Sequence, residues 1–309
     1  MSDSLAGQAA ARAARERQIE ALIAHPAMPD AVRMMCSGLV QLFQGNRLLN
    51  LIASDRARMM MAFMATYLDA RYDPRDPLSG LTVNRYKALC ASTGLCSPGR
   101  GAAMLGIMRF AGYLEPATRA HRGLPLRLVP TEKLLTQQRT RWRLIFSALS
   151  LVREEAAWAL AHLDDPTFDK VFVRHGCDLF LARERPIEHA PALPLFADHK
   201  AGLMVLMRLM LSAAPESGMP PTGPVSMPIA RLARNFAVSR AQVTEILRIA
   251  TDAGLLKPIG GDPPGYLLAP ELRESVVRYI AALFVLSTDA LAATAAEFSN
   301  GGPDFEAVA

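Results

Sequence analysis

Between residues 225 and 270 the apolar positions change period twice. Ile229, Leu232 and Ala233, then Val243, Ile246, Leu247 and Ala250, recur at the three-to-four spacing that gives a helix one buried face. Phe236-Ala237-Val238-Ser239 separates the two patterns, and its serine is placed to cap the second helix. Gly254 closes that helix. Beyond it, Leu255-Leu256-Lys257 and Tyr266-Leu267-Leu268 flank Gly260-Gly261-Asp262-Pro263-Pro264-Gly265, which predicts two short strands joined by a turn. The order helix, turn, helix, hairpin predicts a helix-turn-helix with a wing.

A displacement of 142 positions lays an earlier stretch on this one. Val83 falls on Val225, Ala88 on Ala230, Ala91 on Ala233, Cys96 on Val238, Ser97 on Ser239, Leu105 on Leu247, and Gly112-Tyr113-Leu114 on Gly254-Leu255-Leu256. The earlier hairpin, residues 114–130, is expected to be two residues longer. Each hairpin precedes a long helical pattern, residues 131–163 and 271–298, and each motif follows an apolar helix, residues 55–70 and 198–212. Helices are also expected over residues 5–24, from a cap at Asp30 to Phe43, and over 168–183, while residues 186–194 read as a Pro- and His-bearing linker. Recurrence at one fixed period predicts a supersecondary unit used twice.

The expected fold is mainly α, with two tandem winged helix-turn-helix domains, each carrying a small β-hairpin wing, plus long flanking helices. Its expected layout is an N-terminal helix in residues 1–29, a first domain over 30–164, a connecting helix and linker in 165–197, a second domain over 198–299 and a flexible tail over 300–309.

A chain of 309 residues, 51% hydrophobic, is long enough for two cores. A net charge of +5 and an isoelectric point near 9.2 permit an anionic partner without requiring one. Residues 47–133 hold 13 Lys and Arg against 6 Asp and Glu, residues 196–272 only 7 against 6, so the first motif carries most of the field. The N-terminus mixes arginines with Glu16 and Glu20 and lacks the apolar stretch of a signal peptide, and the uncharged apolar runs fall short of a membrane span, so a cytoplasmic, nucleoid-associated chain is expected. Cys36, Cys90, Cys96 and Cys177 have neither zinc-type nor disulfide spacing, and His175-Gly176-Cys177 lacks a second ligand pair; no metal or cofactor is expected. Cys96 takes the position of Val238 and reads as a small core residue, and the cluster Met59, Met60, Met61 and Met64 reads as core packing. With no phosphate-cradling glycine loop, nucleophile elbow or paired-acid motif, no enzymatic activity is expected.

Helix, helix, helix-turn-helix, wing and long closing helix resemble the MarR-type winged-helix transcriptional regulators, and each half has the size of one such protomer. The chain looks like two of them fused, over roughly residues 30–163 and 168–298. The resemblance implies double-stranded DNA as partner and the flanking first and last helices as the dimer interface. The chain would then be an internal pseudo-dimer, with pairing to a second copy left open. It also implies a cavity beside those helices able to take a small-molecule effector. The departures are two units in one chain, and units that differ where they would meet DNA.

In the second motif the face opposite Val243 carries Arg240, Ala241, Thr244, Glu245 and Arg248, with Gln242 beside it. Arginine bridges guanine, glutamine bridges adenine and threonine meets a thymine methyl, so this face suits base readout; a solvated helix face is the alternative. Arg231 and Arg234 are placed for phosphates, and Ser239 belongs to the same end. In the first motif the matching face, Gly99, Arg100, Ala102, Ala103 and Gly106 after Ser97, is nearly bare. Its wing instead gathers Arg119, His121, Arg122 and Arg127, with Arg85 and Lys87 on the same surface. The expected division has the first half supplying charge and the second sequence discrimination. Two other functions stay open: a plasmid-type replication initiator with two winged helices, and a winged-helix scaffold for protein contacts.

Overall fold

Caps and apolar periods set the helices of the computed structural model, which describes residues 2–76, 78–94, 96–117, 125–182 and 184–299. The first half runs α1 (Ser2–Ile23), α2 (Met28–Phe43), α3 (Arg47–Ile52), α4 (Arg56–Ala70), α5 (Val83–Ser92), α6 (Pro98–Phe110), β1 (Leu114–Pro116), β2 (Leu128–Pro130) and α7 (Glu132–Leu149). The second runs α8 (Glu155–His162), α9 (Pro166–Leu181), α10 (Pro194–Ala197), α11 (Gly202–Met210), β3 (Val225–Ser226), α12 (Ile229–Asn235), α13 (Arg240–Asp252), β4 (Leu256–Gly260), β5 (Gly265–Leu268) and α14 (Pro270–Ser299). The architecture is mainly helical, with β1 and β2 forming one small antiparallel sheet and β3-β5-β4 another. By length and composition α14 is long and apolar enough to cross a membrane, but half of its most apolar window is buried inside the protein (50%), as in a core helix.

The two helix, turn, helix, hairpin segments end their second helices alike. The Ser97 hydroxyl accepts from the Arg100 backbone N–H at 3.4 Å, and the Ser239 hydroxyl accepts from that of Gln242 at 3.0 Å, each satisfying a donor the helix leaves open. At the other end Gly112 and Gly254 turn left-handed, at φ of 72° and 74°, and the next residues, Tyr113 and Leu255, donate to Met108 and Ala250 at 2.9 Å. The hairpins differ more than expected. Leu114 pairs with Pro130, sixteen positions on, and Leu256 with Leu268, twelve on, so the first is four residues longer, not two.

Packing between the halves is reciprocal. The helix α2 packs on α7 of its own half and on α11 of the other; α9 packs on α14 of its own half and on α4 of the other. Likewise α1 packs on α14, and α8 on α7. The Gly45 N–H donates to the Asn235 carbonyl at 2.8 Å, and the Arg185 guanidinium donates to the carbonyl of Thr93, the residue 142 positions before Asn235, at 3.3 Å. Arg56 pairs with Asp198 through bonds of 2.9 and 3.2 Å, again between positions 142 apart. An aromatic cluster from three helices fills the junction: Phe63, Trp142, Phe146, Phe168 and Phe172, with ring centroids 5.0–6.2 Å apart in their contacting pairs. Asp169 is buried beside it and accepts from Gln138 at 2.9 Å and from the Trp142 indole at 3.2 Å. Burial raises its carboxyl above the ordinary range, against these two donors and Arg139 and Arg141.

Several expected boundaries move. The closing helix expected over 131–163 breaks after Leu149, where Val152 donates to Leu149 at 2.9 Å and tightens the turn; no Gly or Pro marks the place, so the apolar period ran on through it. Asp30 lies in the first turn of α2, which starts at Met28 after Ala27, and makes no side-chain cap. The helix α3 was not expected; the Asn46 side chain caps it by accepting from Leu49 at 3.0 Å. Residues 186–194 are no loose linker. They hold a 3-10 turn, Pro186–His189, that packs on α14 and buries Ile187, and Ala190, Ala192 and Leu193 after it are buried too. The helix expected from 198 starts at Gly202, where a Cβ would lie 2.2 Å from the Phe196 carbonyl oxygen.

Because each half completes the other's core, heat or urea should unfold the chain in one transition, with coincident fluorescence and circular-dichroism curves; two separate transitions would contradict the shared packing. Phe146→Ala should lower stability by about 3–5 kcal/mol, and Arg56→Ala, which breaks a half-exposed pair, by less than about 1 kcal/mol.

Candidate nucleic-acid interface

Amphipathic periodicity orients α13 as expected. Val243, Ile246, Leu247 and Ala250 are buried, while Arg240, Ala241, Thr244, Glu245 and Arg248 are exposed and Gln242 is half-buried. Ser239 caps the end where Arg240 and Gln242 sit, so the first-turn N–H groups and these side chains share one pole. Arg248 is the exception to a free polar face. Its guanidinium donates to both Glu245 oxygens, at 3.0 and 2.8 Å, and to Asp252 at 2.5 Å. The hydrogen bond from Arg248 holds the Glu245 carboxyl below the ordinary glutamate range, and the same bond raises Arg248.

The cations of the preceding helix are unneutralised. Arg231 and Arg234 are exposed on α12, and among the described residues neither they nor Arg240 has an ion pair or a side-chain hydrogen bond. Arg208, near the end of α11, stands next to Arg231; burial, then the like charge of Arg231, lowers its guanidinium below the ordinary arginine range. Sequence reasoning passed over Arg208, although it is the one charged residue in the helix sequence GLMVLMRLM. The wing β4–β5 adds little charge: Lys257 is exposed on β4, but the tip is Gly260, Gly261 and Asp262.

In the first motif Gly99, Arg100, Ala103 and Gly106 are exposed, Ala102 is half-buried, and Phe110 at the end of α6 is 89% exposed. Ser97 serves as cap. Arg100 and the half-buried Lys87 have no ion pair among the described residues, and Arg85 donates to the Leu78 carbonyl at 3.3 Å. Arg127 is engaged inside the fold: it stacks on the Tyr72 ring at 3.8 Å and pairs with Asp69 at 3.5 Å, tying the base of the hairpin to α4. Arg119, His121 and Arg122 lie outside the described residues, as does the tail from 300 to 309.

The other candidate chemistry resolves into separate contacts. His175 meets Glu297 at 2.9 Å, whereas Cys177 is buried and its thiol raised by burial, so the His-Gly-Cys run points two ways. Among the described residues no three His, Cys, Asp or Glu side chains gather as a metal site. Burial pushes the Cys36 and Cys90 thiols up to about 12, and Cys96 contacts the Met61 sulfur at 3.3 Å. Met61 and Met64 are buried, while Met59 and Met60 line a cavity. Comparison of the chain with protein-family profiles, with curated proteins and with solved structures finds no match.

Loss of the cap in Ser239→Ala should lower stability by about 1 kcal/mol in urea unfolding. The Arg248 triad contributes in full above the ordinary glutamate value, and the contribution is lost as pH falls through the depressed one. In Arg248→Met, carboxyl NMR should find the Glu245 midpoint moved up towards that of an ordinary glutamate; an unmoved midpoint would mean that the pair does not form.

Proposed function

We propose that the chain is a sequence-specific double-stranded DNA-binding transcriptional regulator, built from two winged helix-turn-helix units joined as an internal pseudo-dimer. One observation carries the reading: Arg240 at the exposed start of α13, with Arg231 and Arg234 on α12, has no ion pair among the described residues, and Arg208 is crowded against Arg231. Uncompensated like charges beside an exposed polar helix suit a polyanion. The shared cap bonds, shared helix ends and reciprocal contacts at a displacement of 142 support duplication of one unit, because a residue that meets its own equivalent, as Arg56 meets Asp198, lies at a two-fold axis. Phosphates fall to Arg231, Arg234 and Arg208, and base edges to Arg240, Gln242 and Thr244. In the first motif Arg100, Lys87, Arg85 and the wing residues Arg119, His121 and Arg122 supply charge. Arg127 positions that wing.

A second reading, a scaffold for protein contacts, is favoured by the exposed ring of Phe110 at the end of α6.

Selection of bound fragments from random duplex DNA, followed by titration at several salt concentrations, tests both readings. DNA binding should yield one motif with half-sites about one helical turn apart, or a multiple. Arg231→Ala and Arg122→Ala should weaken all sequences alike and reduce the salt slope by about 1 each, and Arg240→Ala should relax preference at one base position. Absence of salt-sensitive binding would reject the regulator reading in favour of the scaffold.

A further inference from the structure

Three sulfurs meet where the first helix-turn-helix segment turns. Met61 comes from α4, Cys90 from α5 and Cys96 from the turn, one residue before the Ser97 cap of α6. The Cys96 thiol donates to the Met61 sulfur at 3.3 Å, and the Cys90 thiol lies against both Cys96 and the Tyr86 phenol. That phenol donates to the Met61 carbonyl at 2.8 Å and so fixes the backbone under the thioether. Met61, Cys90 and Tyr86 are buried, whereas Cys96 keeps part of its surface and opens the group to solvent.

Packing alone does not call for sulfur here. The positions 142 further on are Leu203, Leu232 and Val238, and the second segment keeps the same order of helices with these three aliphatic side chains. Two thiols and a thioether make a soft donor set, which favours a soft cation. Among the described residues no His, Asp or Glu completes a group of three with the two cysteines, and a closed Zn(II) site takes four donors. Burial, then the neighbouring Cys96, pushes the Cys90 thiol up to about 12, so at neutral pH an entering ion has to displace a proton, which demands a strong preference for thiolate. With bonds of about 2.3 Å, a trigonal site sets its sulfurs about 4 Å apart, so the close Cys96 and Met61 pair opens slightly, as the flexible methionine side chain allows.

We infer that Met61, Cys90 and Cys96 bind one Cu(I) ion in a trigonal, all-sulfur site. On binding, both thiols release their protons to solvent, and the two thiolates and the thioether each donate an electron pair to the metal. Copper stays Cu(I) throughout, so the step needs neither oxidant nor reductant. Cys96 is the point of entry, and the ion ties α4 and α5 to the residue that precedes the α6 cap.

The test is titration of the full chain, reduced, under nitrogen and free of DNA, with Cu(I) supplied as its acetonitrile complex in competition with bicinchoninate. The chain should withdraw one equivalent from the chelator, and X-ray absorption should find only sulfur around the copper, three atoms per ion. Cys96→Val and Cys90→Leu, which install the side chains of the second segment, should each weaken binding at least a hundredfold. Met61→Leu should weaken it at least threefold and lower the sulfur count to two. Failure of the parent chain to hold one Cu(I) against the chelator, nitrogen or oxygen neighbours at the copper, parent-level binding by Cys96→Val, or an unchanged sulfur count in Met61→Leu would overturn the assignment. If Cys90→Leu gives no cooperative unfolding, Cys96→Val and the parent's sulfur count decide. Since no arm contains DNA, failure here leaves the nucleic-acid reading untouched, and the converse also holds.

Discussion

Neither half of this chain closes its own core. The second helix of each half is wedged between the closing helix of its own half and an apolar helix of the other, α2 between α7 and α11, α9 between α14 and α4. Hydrophobic burial is non-directional and grows with the area removed from water, so it does not choose a mutual arrangement by itself. Specific arrangement comes from the interlocked rings around Trp142 and from the few directional bonds at the edges, among them Gly45 to Asn235 and Arg185 to Thr93. Those two bonds hold the turn of each helix-turn-helix segment on the other half. Placement of the exposed helices α6 and α13 is therefore inherited from the common core.

That inheritance separates what the two halves must share from what they are free to change. They share the serine caps, the left-handed glycines and the buried faces, all needed to seat the second helix. They differ on the outside. The α13 surface has mostly polar groups and α6 mostly small ones; Arg127 is strapped to Tyr72 and Asp69, whereas Arg231 stands near Arg208 and has no ion pair among the described residues. An arginine stacked and paired inside the fold contributes to structure. One left against a like charge gains only from something outside the chain. Residue type alone does not distinguish these two conditions, and that is why Arg127 and Arg231 looked alike in the sequence.

Much of the fold was legible because its signals are local. Ser97, Ser239, Gly112 and Gly254 announce helix ends through bonds spanning five residues or fewer, and the faces of α12 and α13 follow from apolar spacing. The misread parts depend on distant partners. Residues 186–194 look like a linker until α14 covers them; the break after Leu149 has no Gly or Pro; Arg141 reads as one more basic residue on a helix until its guanidinium is seen over the Phe63 and Trp142 rings. The Arg248 triad was a different kind of omission. Glu245 and Asp252 stand three and four positions away on the same helix face, a spacing that predicts the pairing, and the reading by residue type alone did not use it.

The triad does not remove Arg248 from a role in recognition. Exposed pairs at three- and four-residue spacing are weak and screened by salt, whereas a bidentate contact to a correct base is worth about 1–3 kcal/mol. On the nucleic-acid reading, Arg248 would leave its carboxylates for the right base edge, and the exchange stays favourable. At a wrong base the same carboxylates would remain the better partner, and Glu245 and Asp252 would repel nearby phosphates. Held this way, the guanidinium is ordered before any contact forms, so less side-chain entropy is lost on binding. On that reading, a helix face with as many acids as bases around Arg248 would have weak general attraction for DNA and a sharper difference between sites. On that reading, general attraction would fall to Arg208, Arg231 and Arg234, which have no ion pair among the described residues.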